Sequence, residues 1–364
     1  MGSITRNEGL LRDTLARRTT RLERVGRTAM SEPLDPVWVY NETVKMFAIS
    51  GEPTFEDPAE QTATWGRTWG VNNDVGAIRS VLMHRPGVEL SIVDPSKRID
   101  AIGSYGDLAE HWYFQSEDPP NIPVMQAQHD GLVAALERRG IEVIYQAGVG
   151  DRHLKAVYTR DPVQMVKGGA IINRMGTRIR RGEELVTTQT LARLGVPILR
   201  TISGSGVMEG GSFAWLNETN CAIGIGVRVN AEGARQVGEV LASQGVTLHV
   251  VALTGYDIHI DANFLMIDKN LALVNPMGLP YTFLQTLKEL GIHTVEITPL
   301  DDGWIVNGLA VAPGELLIPE GASDRTLAAL EARGVTCEVV PFDKVHLNGG
   351  GIHCSTTPLV RDTV

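Results

Sequence analysis

Five residues whose side chains could carry out chemistry together are spread along the sequence: Asp161, Glu209, His259, Asp261 and Cys354. A cysteine acts as a nucleophile in its thiolate form, which a nearby cation favours, and a histidine transfers protons near neutral pH. Buried carboxylates need a cationic partner, and a planar guanidinium suits them because two carboxylates can each accept a pair of its N–H groups. If these side chains meet, the chemistry they favour is attack on a guanidino-type group.

Each of these residues also has an ordinary structural interpretation. Taken singly, Cys354 is an inert buried thiol, His259 a core histidine, Glu209 a loop carboxylate and Asp161 a turn or cap residue. His259 and Asp261 alternate along the chain, so both could also meet solvent on the edge of a strand. Their placement relative to one another therefore decides between the two interpretations.

A short repeat, L-x-x-x-G followed by Ile or Val, occurs five times, and its glycines are 55, 50, 46 and 43 residues apart. The glycines are Gly140, Gly195, Gly245, Gly291 and Gly334. Each copy predicts the last turn of a helix, ended by glycine in the left-handed conformation and followed at once by a strand. Five such copies predict an α/β fold of five equivalent units around one centre.

A polar motif follows the strand in four of the five units: YTRDP, MEGGS, DIHIDANF and GGGIHC. The corresponding stretch of the fourth unit, GWIVNGLA, has no titratable side chain. Units arranged around an axis would bring these motifs together, and with them the five candidate residues. The glycines at 349–351 would let the backbone approach closely beside the thiol of Cys354.

Composition excludes several other classes of function. The net charge of −10 argues against nucleic acid as a partner, and the sequence has no stretch of about 20 apolar residues that would cross a membrane. The arginine-rich N-terminus lacks the apolar core of a signal peptide. Three scattered cysteines predict a reducing, cytoplasmic compartment.

The motifs YTRDP, EGGS, HID and GGGIHC, in this order, resemble the guanidine-modifying or pentein superfamily, which includes arginine deiminases, dimethylarginine dimethylaminohydrolases and amidinotransferases. The resemblance covers about residues 76–364 and starts from IRSVLMHRPG. It implies an α/β propeller of five ββαβ blades as the catalytic domain, with residues 1–75 as an N-terminal extension. It also implies a small-molecule substrate, without a metal or an organic cofactor, and leaves a homo-oligomer open.

The resemblance assigns a role to each of the five residues. Cys354 would attack the guanidino carbon and form a covalent thiouronium intermediate, while His259 would transfer protons to the leaving amine and from water. Glu209 would orient the histidine, and Asp161 and Asp261 would hold the substrate nitrogens. These roles imply a hydrolase that acts on C–N bonds in linear amidines, such as those of arginine or a substituted arginine.

Substrate choice depends on residues that depart from the common family pattern or flank the motifs. Ser212 stands where hydrolases of the family commonly have aspartate, and Asn263 where threonine or glutamate is frequent. Arg228 resembles an arginine that binds the substrate carboxylate, and an arginine of NRMGTRIRRGEE is expected to assist it. For that second arginine we name Arg178, with Arg174 and Arg181 as alternatives.

Two other functions stay open at this point. The first is an amidinotransferase, although EGGS and GIGVRVN resemble the hydrolases more closely. The second is a catalytically silent pentein that binds a ligand or a partner. The intact cysteine, histidine and aspartates disfavour this second alternative.

Overall fold

A computed structural model of the chain describes residues 35–49 and 56–364. The chain forms two compact units, Met1–Pro53 and Thr54–Val364. In the first unit the described part contains helix α1 (Pro36–Met46), which begins where Asp35 accepts a hydrogen bond from the Val37 amide at 3.0 Å. The arginine-rich N-terminal stretch and the GEP segment of the predicted extension lie outside the described residues.

The second unit alternates short strands with helices. Its helices in the described range are α2 (Pro58–Trp65), α3 (Ile122–Glu137), α4 (Glu183–Leu194), α5 (Ala231–Ser243), α6 (Tyr281–Glu289), α7 (Asp324–Glu331) and α8 (Asp343–His346). The strands of its first half are β1 (Ile78–Met83), β2 (Arg98–Ile99), β3 (Ser104–Asp107), β4 (Trp112–Phe114), β5 (Glu142–Tyr145), β6 (Val163–Val166), β7 (Gly169–Ile172), β8 (Ile198–Thr201) and β9 (Phe213–Asn217). The strands of its second half are β10 (Asn220–Ile225), β11 (Thr247–Ala252), β12 (Phe264–Asp268), β13 (Leu271–Val274), β14 (His293–Glu296), β15 (Leu309–Ala312), β16 (Glu315–Ile318), β17 (Thr336–Val339) and β18 (Thr357–Arg361).

Five three-stranded sheets share one pattern, in which the middle strand pairs antiparallel with one neighbour and parallel with the other. The middle strands are β1, β7, β10, β13 and β16. In the first of these sheets, β1 lies between β5 and β18, so the last strand of the chain completes the sheet that the first strand begins. A sixth sheet, β2–β3–β4, is wholly antiparallel and falls outside the repeat.

The repeated glycines end the helices as predicted. All five have a positive φ, between 72° and 80°. In the first copy the amide of Ile141 donates to the carbonyl of Leu136 at 3.3 Å and that of Gly140 to Glu137 at 2.9 Å, and the other four copies repeat this pair of bonds. This is the Schellman arrangement, and it turns the chain directly from each helix into the parallel outer strand of a sheet. The predicted helix–glycine–strand unit is confirmed.

Residues 56–75, assigned from the sequence to the N-terminal extension, pack inside the second unit. Trp69 is buried, and its backbone amide donates to Gln61 Oε1 at 2.7 Å. Gln61 Nε2 in turn donates to the carbonyl of Gly168 at 2.7 Å. The Gly70 amide donates to the Leu359 carbonyl of β18 at 3.0 Å. This segment lacks the helix–glycine–strand pattern, so the repeat alone does not predict that it packs in the second unit. No helix in the described ranges is long and apolar enough to cross a membrane.

Candidate active site

Five of the predicted site residues lie in short turns that lead into the antiparallel outer strand of a sheet: Asp161, Glu209, His259, Asp261 and Cys354. Glu209 and His259 each stand immediately before a single 3₁₀ turn, ahead of β9 and β12. Asp161 precedes β6 and Cys354 precedes β18. Because each turn occupies the same place in its unit, the polar side chains meet. His259 and Asp261 therefore lie on a buried turn, and the alternative of a solvent-exposed strand edge does not hold.

His259 and Glu209 form a buried ion pair. His259 Nε2 is 2.8 Å from Glu209 Oε2, and the other carboxylate oxygen accepts from the Gly176 amide at 2.8 Å. Burial opposes the charged form of His259, but Asp161 and Glu209 outweigh it and raise its pKa above the ordinary value. Burial likewise opposes the charge on Glu209, but the bond to His259 holds its pKa below the usual range. An imidazolium beside a carboxylate is thus the favoured state.

Asp161 lies on the other side of the imidazole. Its Oδ1 accepts from the Gly211 amide at 2.9 Å and is 3.7 Å from His259 Nδ1, while Oδ2 accepts from Arg180 Nη1. A Cβ at Gly211 would lie 2.5 Å from His259 Nδ1, so only glycine permits this close approach. Each carboxylate oxygen keeps a further lone pair for a ligand.

Cys354 lies against Asp261 rather than against a cation. Its Sγ is 3.5 Å from Asp261 Oδ2, and that oxygen also accepts from His353 Nδ1 at 2.8 Å. Burial, followed by the charges of Asp261 and Asp161, raises the pKa of the Cys354 thiol well above its ordinary value. Burial and then Arg160 lower the pKa of His353, so it donates to Asp261 as a neutral imidazole. These surroundings therefore favour the thiol form of Cys354 over the thiolate.

The loop that carries Cys354 is fixed by bonds from three other units. The Cys354 amide donates to Asn307 Oδ1 at 3.2 Å, and Asn307 Nδ2 donates to the Asp261 carbonyl at 3.2 Å. Arg160 Nε donates to the His353 carbonyl at 2.9 Å. A Cβ at Gly351 would lie 2.5 Å from Asn307 Oδ1, which accounts for glycine three residues before Cys354. The predicted close approach of the backbone is confirmed at this position.

Asp161, His259 and Cys354 line one cavity of about 460 Å³, including the part in contact with solvent, whereas Glu209 and Asp261 contact His259 and Cys354 from outside the lining. Its lining residues are His111, Trp112, Tyr113, Lys155, Tyr158, Asp161, Thr177, Ile179, Arg180, Arg228, Ile258, His259, Asn348, Gly349 and Cys354. Trp112 and Tyr113 belong to β4 of the sixth sheet, so a segment outside the repeat forms one wall.

The arginines predicted to bind substrate are placed differently from one another. Arg228 lines the cavity, and its Nη1 is 3.4 Å from Glu209 Oε2. Arg178 does not line it: its side chain is 72% exposed and pairs with Glu110 at 3.2 Å. Arg174 donates to the Gly206 carbonyl and also lies outside the lining, as does the exposed Arg181.

Ser212 and Asn263, the two departures from the family pattern, are buried but do not line the cavity. Ser212 Oγ donates to the Ile258 carbonyl at 3.4 Å, directly before His259. Asn263 Oδ1 accepts from Asn275 Nδ2 at 3.0 Å. Both residues lie in or next to the turns that carry Glu209, His259 and Asp261, so their side chains can affect the position of these residues but do not face the cavity.

Three site residues were missed in the sequence. Arg180 joins Asp161 to Glu183, and only its spacing of three residues from that glutamate hints at a buried pair. Asn307 comes from the fourth unit and holds the Cys354 loop. A search for titratable side chains does not find it, because an amide does not titrate. Lys155, in the turn before Asp161, lines the cavity with its side chain largely buried.

Among the described residues, Asp161, Glu209 and His259 form a group that could hold a metal ion, since one ligand atom from each lies within 4.8 Å of the others. Two carboxylates and an imidazole suit a divalent cation such as zinc. They suit equally the planar cation that the remaining groups favour, because the same carboxylates accept N–H bonds.

Comparisons with known proteins place this site in a family context. The sequence profile named "Arginine deiminase" matches residues 154–281, which carry four of the five candidate residues. Arginine deiminase from Oenococcus oeni is 21% identical over 81% of this chain and 97% of its own length. The dimethylarginine dimethylaminohydrolase of Pseudomonas aeruginosa is 26% identical over 65% of this chain and 88% of its own.

Solved structures of related proteins share the fold. A variant of the Pseudomonas aeruginosa hydrolase in complex with citrulline superposes with a TM-score of 0.61 at 21% identity, over 77% of this chain and 99% of that one. Inosamine-phosphate amidinotransferase from Streptomyces griseus superposes with a TM-score of 0.64 at 16% identity, over 82% and 98% of the two chains. Both hydrolases and transferases therefore share this architecture.

Proposed function

The chain belongs to the guanidine-modifying, or pentein, superfamily, and on that premise we propose that it is a hydrolase that cleaves a C–N bond of a guanidino substrate. The convergence of a thiol, a histidine and an aspartate on one cavity, with Glu209 and Asp261 in contact with them, carries this proposal. His259 and Cys354 both line that cavity, so the group that transfers protons and the nucleophile face the same space.

The proposed reaction begins with binding of the guanidinium cation by Asp161 and Asp261. Its positive charge stabilises the thiolate, so Cys354 releases its proton to solvent when the substrate is in place, and it regains a proton when the cycle ends. The thiolate attacks the central carbon, and the imidazolium of His259 gives a proton to the nitrogen that leaves as ammonia or an amine. A thiouronium ester on Cys354 remains.

Hydrolysis completes the proposed cycle. His259, now neutral, takes a proton from water, and the resulting hydroxide attacks the thiouronium carbon. The C–S bond breaks, the thiol is restored, and the carbon leaves as the C=O of a urea-type product. Glu209 keeps the imidazole in orientation through both steps and favours its charged form.

The proposal includes the finer assignments of fold and location. The five equivalent sheets would be five blades around the axis on which the site lies, within a catalytic domain of residues 76–364. Three free cysteines support a reducing, cytoplasmic compartment. Asp161, Asp261 and Arg228 would bind the substrate, a small molecule such as arginine or a substituted arginine.

The experiment that tests hydrolysis separates it from amidino transfer. The protein is incubated with a guanidino substrate in water enriched in heavy oxygen, first alone and then with glycine, ornithine or lysine. A hydrolase releases a labelled ureido product at the same rate in both cases. If turnover requires the added amine and the product is an unlabelled guanidino compound, the protein is an amidinotransferase.

A further inference from the structure

Lys155 occupies one wall of the cavity with all of its hydrogen-bond donors engaged. Its Nζ donates to the Tyr113 carbonyl at 2.7 Å, to Asn348 Oδ1 at 2.9 Å and to the Asn348 carbonyl. An ammonium group has three N–H donors, so these three oxygens saturate it. The oxygen atoms that would accept an ammonium group of a ligand on this wall are thus already bonded to the ammonium of the chain itself.

The charges along the lining are distributed unequally. Among the described lining residues the carboxylate is Asp161, whereas the basic side chains, apart from the histidines, are Lys155, Arg180 and Arg228. Asp161 and the buried Glu183 neutralise Arg180. Two basic side chains of the lining are then left to set its charge, Lys155 and Arg228. Arg228 has one ion-pair contact, 3.4 Å long, with Glu209. The cavity beyond the reacting groups is therefore positive.

The protonation of Lys155 follows from its partners. Burial, and then the charges of Arg180 and Arg228, lower its pKa below the ordinary value. Three oxygens nevertheless surround the nitrogen, which is the arrangement of a charged ammonium rather than of a neutral amine. These three oxygens favour the charged form of Lys155 and so oppose the effect of burial.

Such a wall discriminates between substrate tails. A carboxylate is attracted by Lys155 and Arg228 and can accept the free N–H groups of Arg228. An ammonium group beside that carboxylate would be repelled by Lys155, and the unpartnered hydroxyl of Thr177 offers it only an uncharged acceptor. On the basis of the proposed function, we propose that the preferred substrates are ω-guanidino carboxylates that carry no ammonium group, and that Lys155 is the residue that selects against arginine.

The test compares kcat/KM of the full-length protein for δ-guanidinovalerate, arginine and agmatine, which share the same spacing and carry a carboxylate, a carboxylate with an ammonium, and an ammonium alone. The ammonium of arginine, repelled by Lys155, should lower its kcat/KM by about tenfold to a hundredfold relative to δ-guanidinovalerate. Agmatine should be the poorest of the three. Equal or faster turnover of arginine would overturn the inference.

Substitution of the selecting residue tests its role. Lys155→Gln keeps two donors for the carbonyls and removes the charge, so the disadvantage of arginine should shrink. The matched control is Lys167→Gln, since Lys167 is exposed and outside the lining. An unchanged ratio between the two substrates in folded Lys155→Gln, or an equal change in the control, would contradict the assignment.

Ligand binding to the wild-type protein decides the matter if Lys155→Gln does not fold. The ureido analogues δ-ureidovalerate and citrulline differ only by the ammonium group, and δ-ureidovalerate should raise the melting temperature more at equal concentration. Stronger stabilisation by citrulline overturns the inference. Failure to turn over any guanidino compound would overturn the proposed function itself, whereas turnover with a preference for arginine overturns only the selection by Lys155.

Discussion

Replacing Glu209 by glutamine removes one of the charges that raise the pKa of His259 and leaves the shape of the side chain nearly unchanged; Asp161 supplies another. In the wild type, Glu209 is fully buried and accepts from His259 at 2.8 Å. The amide oxygen of glutamine can still accept that hydrogen bond, so the imidazole should stay oriented. The preference for the imidazolium is therefore weakened.

The size of the effect follows from the geometry. A hydrogen bond to a charged group contributes about 1.5–3 kcal/mol, and one pKa unit corresponds to about 1.4 kcal/mol. The pKa of His259 should therefore fall by about one to two units in Glu209→Gln. Because His259 must be protonated to release the leaving amine, the decline of kcat at high pH should begin about one to two units lower than in the wild type.

The assay is a pH–rate profile of kcat, together with an NMR titration of His259. Glu89→Gln is the matched control, since Glu89 is a buried glutamate 3.2 Å from His84 and outside the cavity. A high-pH limb that does not move in Glu209→Gln, or that moves equally in the control, would refute the reasoning. In the double variant with His259→Ala, the loss should stay close to that of His259→Ala alone.

The same pair has a signature in stability. The folded-state pKa of His259 is raised, so its contribution is complete below about pH 6.5 and is lost as the pH rises through the raised value. The folded-state pKa of Glu209 is lowered, so its contribution is complete above about pH 4.5 and is lost as the pH falls. Denaturant unfolding should show the largest difference between Glu209→Gln and the wild type between these two values.

Three further predictions concern the nucleophile, the substrate tail and the loop. Cys354→Ser should fold normally and lose activity by roughly four powers of ten or more in a product assay, whereas Cys337→Ser should keep it; the reverse result would reject Cys354 as the nucleophile. Arg228→Ala should raise KM for carboxylate-bearing substrates and scarcely affect agmatine in steady-state kinetics, and equal effects would make Arg228 a structural residue. The Asn307 side chain lowers the pKa of the Cys354 thiol, so in Asn307→Ala the alkylation of this thiol, followed against pH by mass spectrometry, should shift to higher pH; an unchanged profile would contradict that role.

Much of this site could be predicted because its residues lie at equivalent points of a repeat that glycine marks. The positive φ at Gly140 and its four counterparts is a local property that the sequence expresses directly. Alignment of the units at these glycines predicts that the turns carrying Asp161, Glu209, His259 and Cys354 occupy equivalent positions around the site. The buried positions of these four side chains agree with that expectation.

The parts that escaped prediction depend on contacts between distant segments. Arg178 and Arg180 lie on one 3₁₀ turn, where successive side chains point about 120° apart, so composition cannot tell which of them faces Asp161. Asn307 carries no charge, and its value lies in two hydrogen bonds to other units. The wall formed by Tyr113 comes from a sheet outside the repeat. None of these features leaves a periodic trace in the sequence.

The central claim is that Cys354 forms a covalent bond with the carbon of a guanidino group, and acid-quenched mass spectrometry during turnover tests it most directly. The protein is mixed with excess substrate, quenched within the first turnovers and digested. We expect an amidino-type adduct on the peptide that contains Cys354, present at steady state and lost when the substrate is exhausted. Steady turnover with Cys354 unmodified, or an adduct on Cys221 or Cys337 instead, would contradict the account.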